Sequence, residues 1–371
     1  LEPATAPPWS AALELDLLDA FRNARNRATG IAGPAVTAKW RAPRSAPPAA
    51  GRAARRTRDG CDSPNVMEMR WPGDTVEGRA RRSTRIAGPG WSDPANPLVH
   101  GYSCMNGSCV PGGMDDFGHG THVAGTIAAK TDNLSGVAGI ADGSTVLVAR
   151  ALGKCGGLNS DIADAVTWAA GGTVVGVPAN THPAKVINLS LGGSTADGPD
   201  VCGNAEQAAV NAVRALGAVV VAATGNDGTA NISAPASCAG VIAVTAHTVE
   251  GDNADYANVG TSGDSATAPT NSTTISAPGG GCGTTLSATC ANQYVWSTSN
   301  SGTQSPSTEG YAGAAGTSMA TPHVSGVAVL IKSVQSAATP DYTRLILQGT
   351  AREFPAGTYC QTTAGRGKCG A

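Results

Sequence analysis

The chain is 371 residues long and 41% hydrophobic, with 25 Lys and Arg against 27 Asp and Glu and a formal net charge of −2. That length fits one sizeable domain with an extension, its core built from Val, Ile, Leu and Ala and its 49 glycines serving tight turns. No apolar run approaches the roughly 20 residues needed to cross a bilayer, which sets aside a membrane span and reads as a soluble chain.

Charge is unevenly spread along the chain. Residues 1–85 hold 15 of the 25 basic side chains and 9 of the 27 acids, a net +6, while the remainder carries −8. Three readings stay open for this Arg-, Ala- and Pro-rich region. A basic arm against nucleic acid or an acidic surface is one, although no aromatic interleaving or periodic stripe accompanies the arginines. Disorder is another, because few apolar side chains are there to offset chain entropy. The third is that residues 39–85 are translated out of frame or misassembled, since GC-rich coding DNA read in the wrong frame gives an excess of Arg, Ala, Pro and Gly. Residues 1–85 are left unassigned, as disordered or as the disrupted start of the domain that follows, and 86–371 are taken as that folded domain. The chain begins at Leu1 rather than Met and shows no recognisable signal peptide, so an amino-terminal piece is expected to be missing.

The first segment with chemical potential is Asp116-Phe117-Gly118-His119-Gly120-Thr121-His122-Val123-Ala124-Gly125. His119 opens a short apolar stretch, and an imidazole of ordinary pKa, about 6.5, is the usual general base near neutral pH. An apolar run from Thr145 to Leu152 then predicts a strand, and Ile162, Ala165, Val166 and Ala169 predict a helix over 160–170. Strand and helix alternate onward: 185–191 strand, 205–216 helix ending at a C′ glycine, Gly217, then 218–223 and 240–246 strand. Apolar runs without strict alternation suit strands buried on both faces. The predicted fold is therefore α/β, a mainly parallel sheet with helices on both faces.

Near the C-terminus stands Gly316-Thr317-Ser318-Met319-Ala320-Thr321-Pro322-His323, followed by Val324, Val327, Ala328, Leu330 and Ile331 at helical spacing. Ser318 is thus placed at the positive end of a helix, where backbone N–H groups can stabilise an oxyanion. Pro322 is taken as lying near the helix start, where its missing donor costs nothing. His122 and His323 are read as packed or hydrogen-bonded neighbours rather than catalytic groups.

Together the His119 and Ser318 segments resemble the subtilisin-like serine peptidases, closest to secreted bacterial members. Val219-Val220-Val221-Ala222-Ala223-Thr224-Gly225-Asn226 resembles the family's strand ending in the oxyanion asparagine. The resemblance implies a subtilisin-like fold and a serine endopeptidase in which Ser318 attacks, His119 is general base and Asn226 donates to the oxyanion. It implies further that Val186 to Gly193, with Ser190, Leu191 and Gly192, pairs with an extended peptide, and that Gly156 and Gly157 form the opposite wall. Chain order separates this from an α/β-hydrolase, which needs Gly-x-Ser-x-Gly with the histidine last, whereas position 320 is Ala. A chymotrypsin-like barrel has no use for alternating helices.

The resemblance also requires an apolar strand ending in Asp-Thr-Gly or Asp-Ser-Gly upstream of residue 86, and none is found. Asp59, Asp62 and Asp74 are the nearest approaches, each read first as a solvated surface carboxylate. The alternative function is therefore a catalytically impaired relative that binds peptides or proteins. Ten cysteines without Cys-x-x-Cys spacing favour an oxidising compartment and secretion. Cys282 with Cys290 and Cys360 with Cys369 would close short loops; by resemblance Cys202 pairs with Cys238, and Cys155 with Cys104 or Cys109, leaving Cys61 for the remaining one. Asn106-Gly107-Ser108 and Asn271-Ser272-Thr273 match glycosylation acceptors. No metal or other cofactor is required by the chemistry, although the family admits structural calcium, and no ligand set is specific enough to name. The expected partners are polypeptide substrates, with apolar residues preferred on the acyl side, no nucleic acid and no membrane; the expected state is a monomer.

Overall fold

The computed structural model describes residues 102–105, 108–111, 115, 117–152, 156–195, 198–199, 201–261, 271–285, 293–301 and 307–371. The region 1–85, with Asp59, Asp62, Asp74 and Cys61, lies outside the described residues, as do Asn106, Cys155 and Cys290. In chain order the elements begin with β1 (Tyr102–Met105), β2 (Ser108–Pro111), α1 (His119–Ala128), β3 (Ala149–Arg150) and α2 (Asn159–Ala169). Next come β4 (Val186–Leu189), β5 (Ser194–Thr195), β6 (Gly198–Pro199), α3 (Asn204–Ala215), β7 (Val219–Ala223) and β8 (Ile242–His247). The chain closes with β9 (Ile275–Pro278), β10 (Val295–Asn300), β11 (Glu309–Ala314), α4 (Thr317–Val334) and α5 (Pro340–Thr350).

β4, β7, β8 and β9 form one sheet in that order, every pair parallel. Its central strand β7 reads Val-Val-Val-Ala-Ala and all five residues are buried. The alternation that a half-exposed strand would show is missing because each face has its own helical cover. Val220 and Ala222 point into a cluster with Ile162, Ala165, Val166 and Ala169 of α2 and Val210 and Val213 of α3. Val219 and Val221 point the other way, into a cluster with Ala320, Val324 and Ile331 of α4 and Leu347 of α5. Three layers, helix on sheet on helix, follow from that two-residue period.

The helix ends are chemically specified. α3 closes with the Ala218 amide donating to the Val213 carbonyl at 3.1 Å and the Gly217 amide to the Arg214 carbonyl at 2.9 Å. Gly217 takes φ +81°, the left-handed cap that glycine adopts without a Cβ penalty. α5 starts on Thr339, whose hydroxyl accepts from the Tyr342 amide at 3.1 Å, with Pro340 in the first helical position.

Two expectations are corrected. The strand predicted over 145–152 is confined to Ala149–Arg150, the two residues that meet β1 in parallel register; the rest has no partner strand among the described residues. Pro322 lies inside α4, five residues beyond its start at Thr317, so its missing amide does remove a helical hydrogen bond. Asn271, in the second acceptor match, has its side-chain nitrogen donating to the Ala230 carbonyl and its oxygen accepting from the Ile232 amide.

Cys202–Cys238 and Cys360–Cys369 are disulfides, as the spacing and the resemblance led us to expect, and Cys282 is disulfide-bonded too. The other expected pairings lie outside the described residues. No helix among the described residues is long and apolar enough to cross a membrane.

Candidate active site

Ser190 follows the last residue of β4 and Asn226 follows β7 after a two-residue turn, so both stand at the C-terminal edge of adjacent parallel strands. Sites in open parallel sheets form at this edge. α4 packs across β4, β7 and β8, and Ser318 occupies its second position. Thr317, Met319 and Ala320 are fully buried around it, while Ser318 itself is only partly covered.

Pro322 decides how this turn is held. An amide at position 322 would donate to the Ser318 carbonyl one turn back, and proline has none. The Ser190 hydroxyl donates to that carbonyl instead, at 2.8 Å. In return the Ser318 hydroxyl lies 3.3 Å from the Ser190 carbonyl. Asn188 Nδ2 donates to Ser190 Oγ at 3.0 Å, and Ser325 Oγ on α4 donates to Asn188 Oδ1 at 2.7 Å. A chain of side-chain bonds therefore ties the end of β4 to the first three turns of the nucleophile's helix.

The Asn226 carboxamide has a defined orientation. Its Oδ1 accepts from both the Thr317 amide and the Thr317 hydroxyl, each at 2.9 Å. Acceptor-only bonding to two donors fixes which end is oxygen and directs Nδ2 away from Thr317. Thr317 Oγ1 in turn accepts from the Gly225 amide at 3.2 Å. Gly225 has to be glycine here: φ is +108°, and a Cβ would come within 2.4 Å of Asn258 Nδ2. Asn258 is the knot beneath this loop. Its side chain bonds the Thr224 carbonyl, the Asp227 carboxylate and the Asp227 and Thr229 amides, and its carbonyl accepts from the Thr224 and Thr245 hydroxyls.

In the first turn of α4 the amides are nearly all committed. Thr317 donates to Asn226, and Met319 and Ala320 both donate to the Gly316 carbonyl. The Ser318 amide bonds no described residue, and neither does Asn226 Nδ2. Two donors at a helix N-terminus are thus left over beside one serine hydroxyl.

His119 is the first residue of α1, which packs on α4 and β10. Burial pushes its pKa down to about 4, with Asp115 raising it and His122 lowering it. The helix is fastened on its other side. The Ser297 and Thr298 hydroxyls of β10 donate to the His122 and Thr121 carbonyls at 2.7 and 2.8 Å. A Cβ at Gly125 would come within 2.2 Å of Thr298 Oγ1, so the close approach of α1 to β10 requires glycine there. His122 Nε2 lies 3.1 Å from the carbonyls of Val295 and Ala312, which makes Nε2 the protonated nitrogen. His323 Nδ1 meets the Met319 carbonyl at 2.8 Å. Both histidines are the hydrogen-bonded neighbours that the sequence suggested.

The predicted peptide walls are only partly explained. Gly192 sits where a Cβ would be 3.1 Å from Ser233 Cβ, and Gly157 where a Cβ would be 2.3 Å from the Ala151 carbonyl oxygen. Internal packing is thus a sufficient reason for Gly157. Leu191 is half-buried, and no hydrogen bond joins Gly156 or Gly157 to Ser190 or Ser318 among the described residues. Among the described residues the one cluster with metal-ligand spacing, Cys202, Glu206 and Cys238, has both sulfurs in a disulfide and so offers no thiolate.

Sequence reasoning missed Asp115, Thr317, Asn188, Ser325 and Asn258. Asn and Thr next to turns read as turn residues, and Pro322, once placed inside a helix, is the one sequence signal that a side chain must supply the donor it lacks, the role Ser190 takes.

An extracellular protease of Xanthomonas campestris is 46% identical over 252 residues, 67% of this chain and 38% of that protein. An extracellular basic protease of Dichelobacter nodosus is 40% identical over 241 residues, 64% of this chain and 35% of that protein. The chain therefore spans little more than a third of the length of these relatives. Among solved structures, a protease from Pseudoalteromonas arctica aligns with a TM-score of 0.61 at 40% identity, covering 75% of this chain and 83% of that one. The Subtilase family profile matches residues 110–367 and so takes in His119, Asn226 and Ser318 together. With that match over most of its length, and the subtilisin-like α/β fold beneath it, the chain belongs to the subtilase family.

Proposed function

We propose that the chain is a secreted serine endopeptidase. Ser318 Oγ attacks the carbonyl carbon of an extended polypeptide while its proton passes to His119. The oxyanion so formed accepts from Asn226 Nδ2 and the Ser318 amide. Collapse breaks the C–N bond, His119 returns the proton to the leaving amine, and an acyl-enzyme on Ser318 remains. Water, activated by His119, then releases the acid and regenerates the hydroxyl.

One observation carries this reading: the two donors that the oxyanion needs are left uncommitted by the surrounding structure, while the Thr317, Met319 and Ala320 amides beside them are used. Preorganised donors of this kind act where charge appears only in the transition state. Ser190, Leu191 and Gly192 are proposed to pair with substrate backbone and Gly156 and Gly157 to face them, with apolar side chains favoured on the acyl side. The relatives' description as extracellular and the disulfides support secretion. The acid that would orient His119 in the family's triad is not assigned, and the competing reading is a chain that binds peptides in the same place without cleaving them. Hydrolysis of an unstructured polypeptide by the folded full chain, lost in Ser318→Ala, tests the proposal; peptide binding without turnover supports the competitor.

A further inference from the structure

A carboxylate outside the family blocks stands immediately before the histidine helix. Asp115 Oδ1 accepts from the Phe117 amide at 2.9 Å and the Gly118 amide at 2.8 Å, and Oδ2 accepts from the Thr121 amide and the Thr121 hydroxyl, both at 2.7 Å. These four donors come from residues on either side of His119. Thr121 is the third residue of α1, so Asp115 performs the task of an N-cap from outside the helix, where Gly118, with no side chain, cannot.

We infer that Asp115 is a positioning residue for His119: it fixes the turn that aims the imidazole and supplies the negative charge against which the imidazolium forms. The inference rests on His119 being the general base proposed above. A helix N-terminus is the wrong place for a cation, because its dipole and its unpaired amides favour the neutral ring. His119 is at that terminus and buried, and both effects oppose the proton it has to hold during attack. A carboxylate bonded into the same turn offsets the dipole where it is strongest.

Asp115 is suited to stay ionised. Burial alone would raise its pKa, but bonds from Phe117, Thr121 and Gly118 outweigh that and hold it below the ordinary carboxylate range. Among the described residues, Asp115 acts on His119 electrostatically to favour its charged form and His122 on α1 to disfavour it. From the elements packed against it, α4 brings His323, whose field falls on His122, and Lys332 near its far end; β10 carries no ionisable side chain. Asp115 is therefore a stabilising charge for the imidazolium.

The test separates charge from capping. Asp115→Asn keeps an acceptor for the Phe117 and Gly118 amides and removes the charge; Thr121→Val keeps the charge and removes one hydrogen bond. His119 is titrated by histidine NMR in the Ser318→Ala chain, its signal assigned by its loss in His119→Gln. Asp115→Asn is expected to lower the His119 midpoint by about 1 pH unit, or to move it below acid unfolding, while Thr121→Val leaves it near the parent value. An unchanged midpoint in folded Asp115→Asn overturns the inference, even if activity falls, because capping alone would account for that. The titration does not depend on turnover. A chain that never cleaves peptides defeats the proposed function and leaves this result readable.

Discussion

Pro322 and Ser318 stand one helical turn apart, and the hydrogen bond that proline cannot make to the Ser318 carbonyl is made by the Ser190 hydroxyl at 2.8 Å. A residue first noted as part of a peptide-binding strand therefore also holds the nucleophile's turn. Ser190→Ala is expected to cost about 1 kcal/mol of stability and to lower kcat about tenfold or more through misplacement of Ser318. Pro322→Ala returns an amide to that position. In the double mutant the loss from Ser190→Ala should shrink, a coupling of about 1 kcal/mol that strictly additive effects would contradict.

Asn226 and Thr317 give a second pair. Asn226→Ala should lower kcat by about 10²–10³ with KM little changed, a magnitude general to side-chain oxyanion donors rather than drawn from this structure. Thr317→Val removes the hydroxyl that donates to Oδ1 and leaves the backbone amide in place, so a smaller loss is expected, about tenfold. Equal losses in the two variants would show that Asn226 acts on structure and not on the oxyanion.

The pH profile follows from burial. An ordinary histidine would give an acid limb near 6.5. Burial of His119 moves its pKa to about 4, so kcat/KM should be level through pH 6 and fall only as the pH nears 4. A limb at 6.5 in the free enzyme would mean that His119 is solvated or paired more strongly than the structure indicates.

Stability has its own pH dependence. His119, His122, His247 and His323 all have pKa values lowered chiefly by burial, with bonds to carbonyls opposing the shift in the last three. The unfolded chain takes up protons below about 6.5 more readily than the folded chain, so stability is complete above that pH and declines on acidification, by up to about 1.4 kcal/mol per pH unit per proton. Unfolding at pH 5.5 should take up more than one proton. No uptake would contradict the lowered pKa values of these rings.

The coding DNA offers a separate check on residues 39–85. If this stretch is out of frame, another frame should restore an apolar strand ending in Asp-Thr-Gly or Asp-Ser-Gly, and the family match that now begins at residue 110 should extend upstream. Finding no such strand in any frame removes that explanation and favours the impaired reading.

Much of the fold was legible because its signals are local. The uniformly apolar Val219–Ala223 and the glycine after 205–216 mark a doubly covered strand and a helix end without reference to anything distant. β10 and β11 were not anticipated, since Val295–Asn300 and Glu309–Ala314 are rich in Ser, Thr and Gly and owe their strand state to α1, whose carbonyls Ser297 and Thr298 satisfy. The site divides in the same way. Ser318, His119 and Asn226 lie in dense local patterns, whereas Asp115, Asn188 and Asn258 matter through backbone groups that only the folded chain brings to them. α5 carries a readable start, a capping Thr339 followed by Pro340 in the first turn.

The central claim, that Ser318 is a nucleophile activated by His119, is tested most directly by labelling the folded full chain with a fluorophosphonate and locating the adduct by mass spectrometry. The account predicts a stoichiometric adduct on Ser318, formed at a rate that collapses in His119→Ala. A folded chain that takes no label, or takes it equally fast without His119, contradicts it.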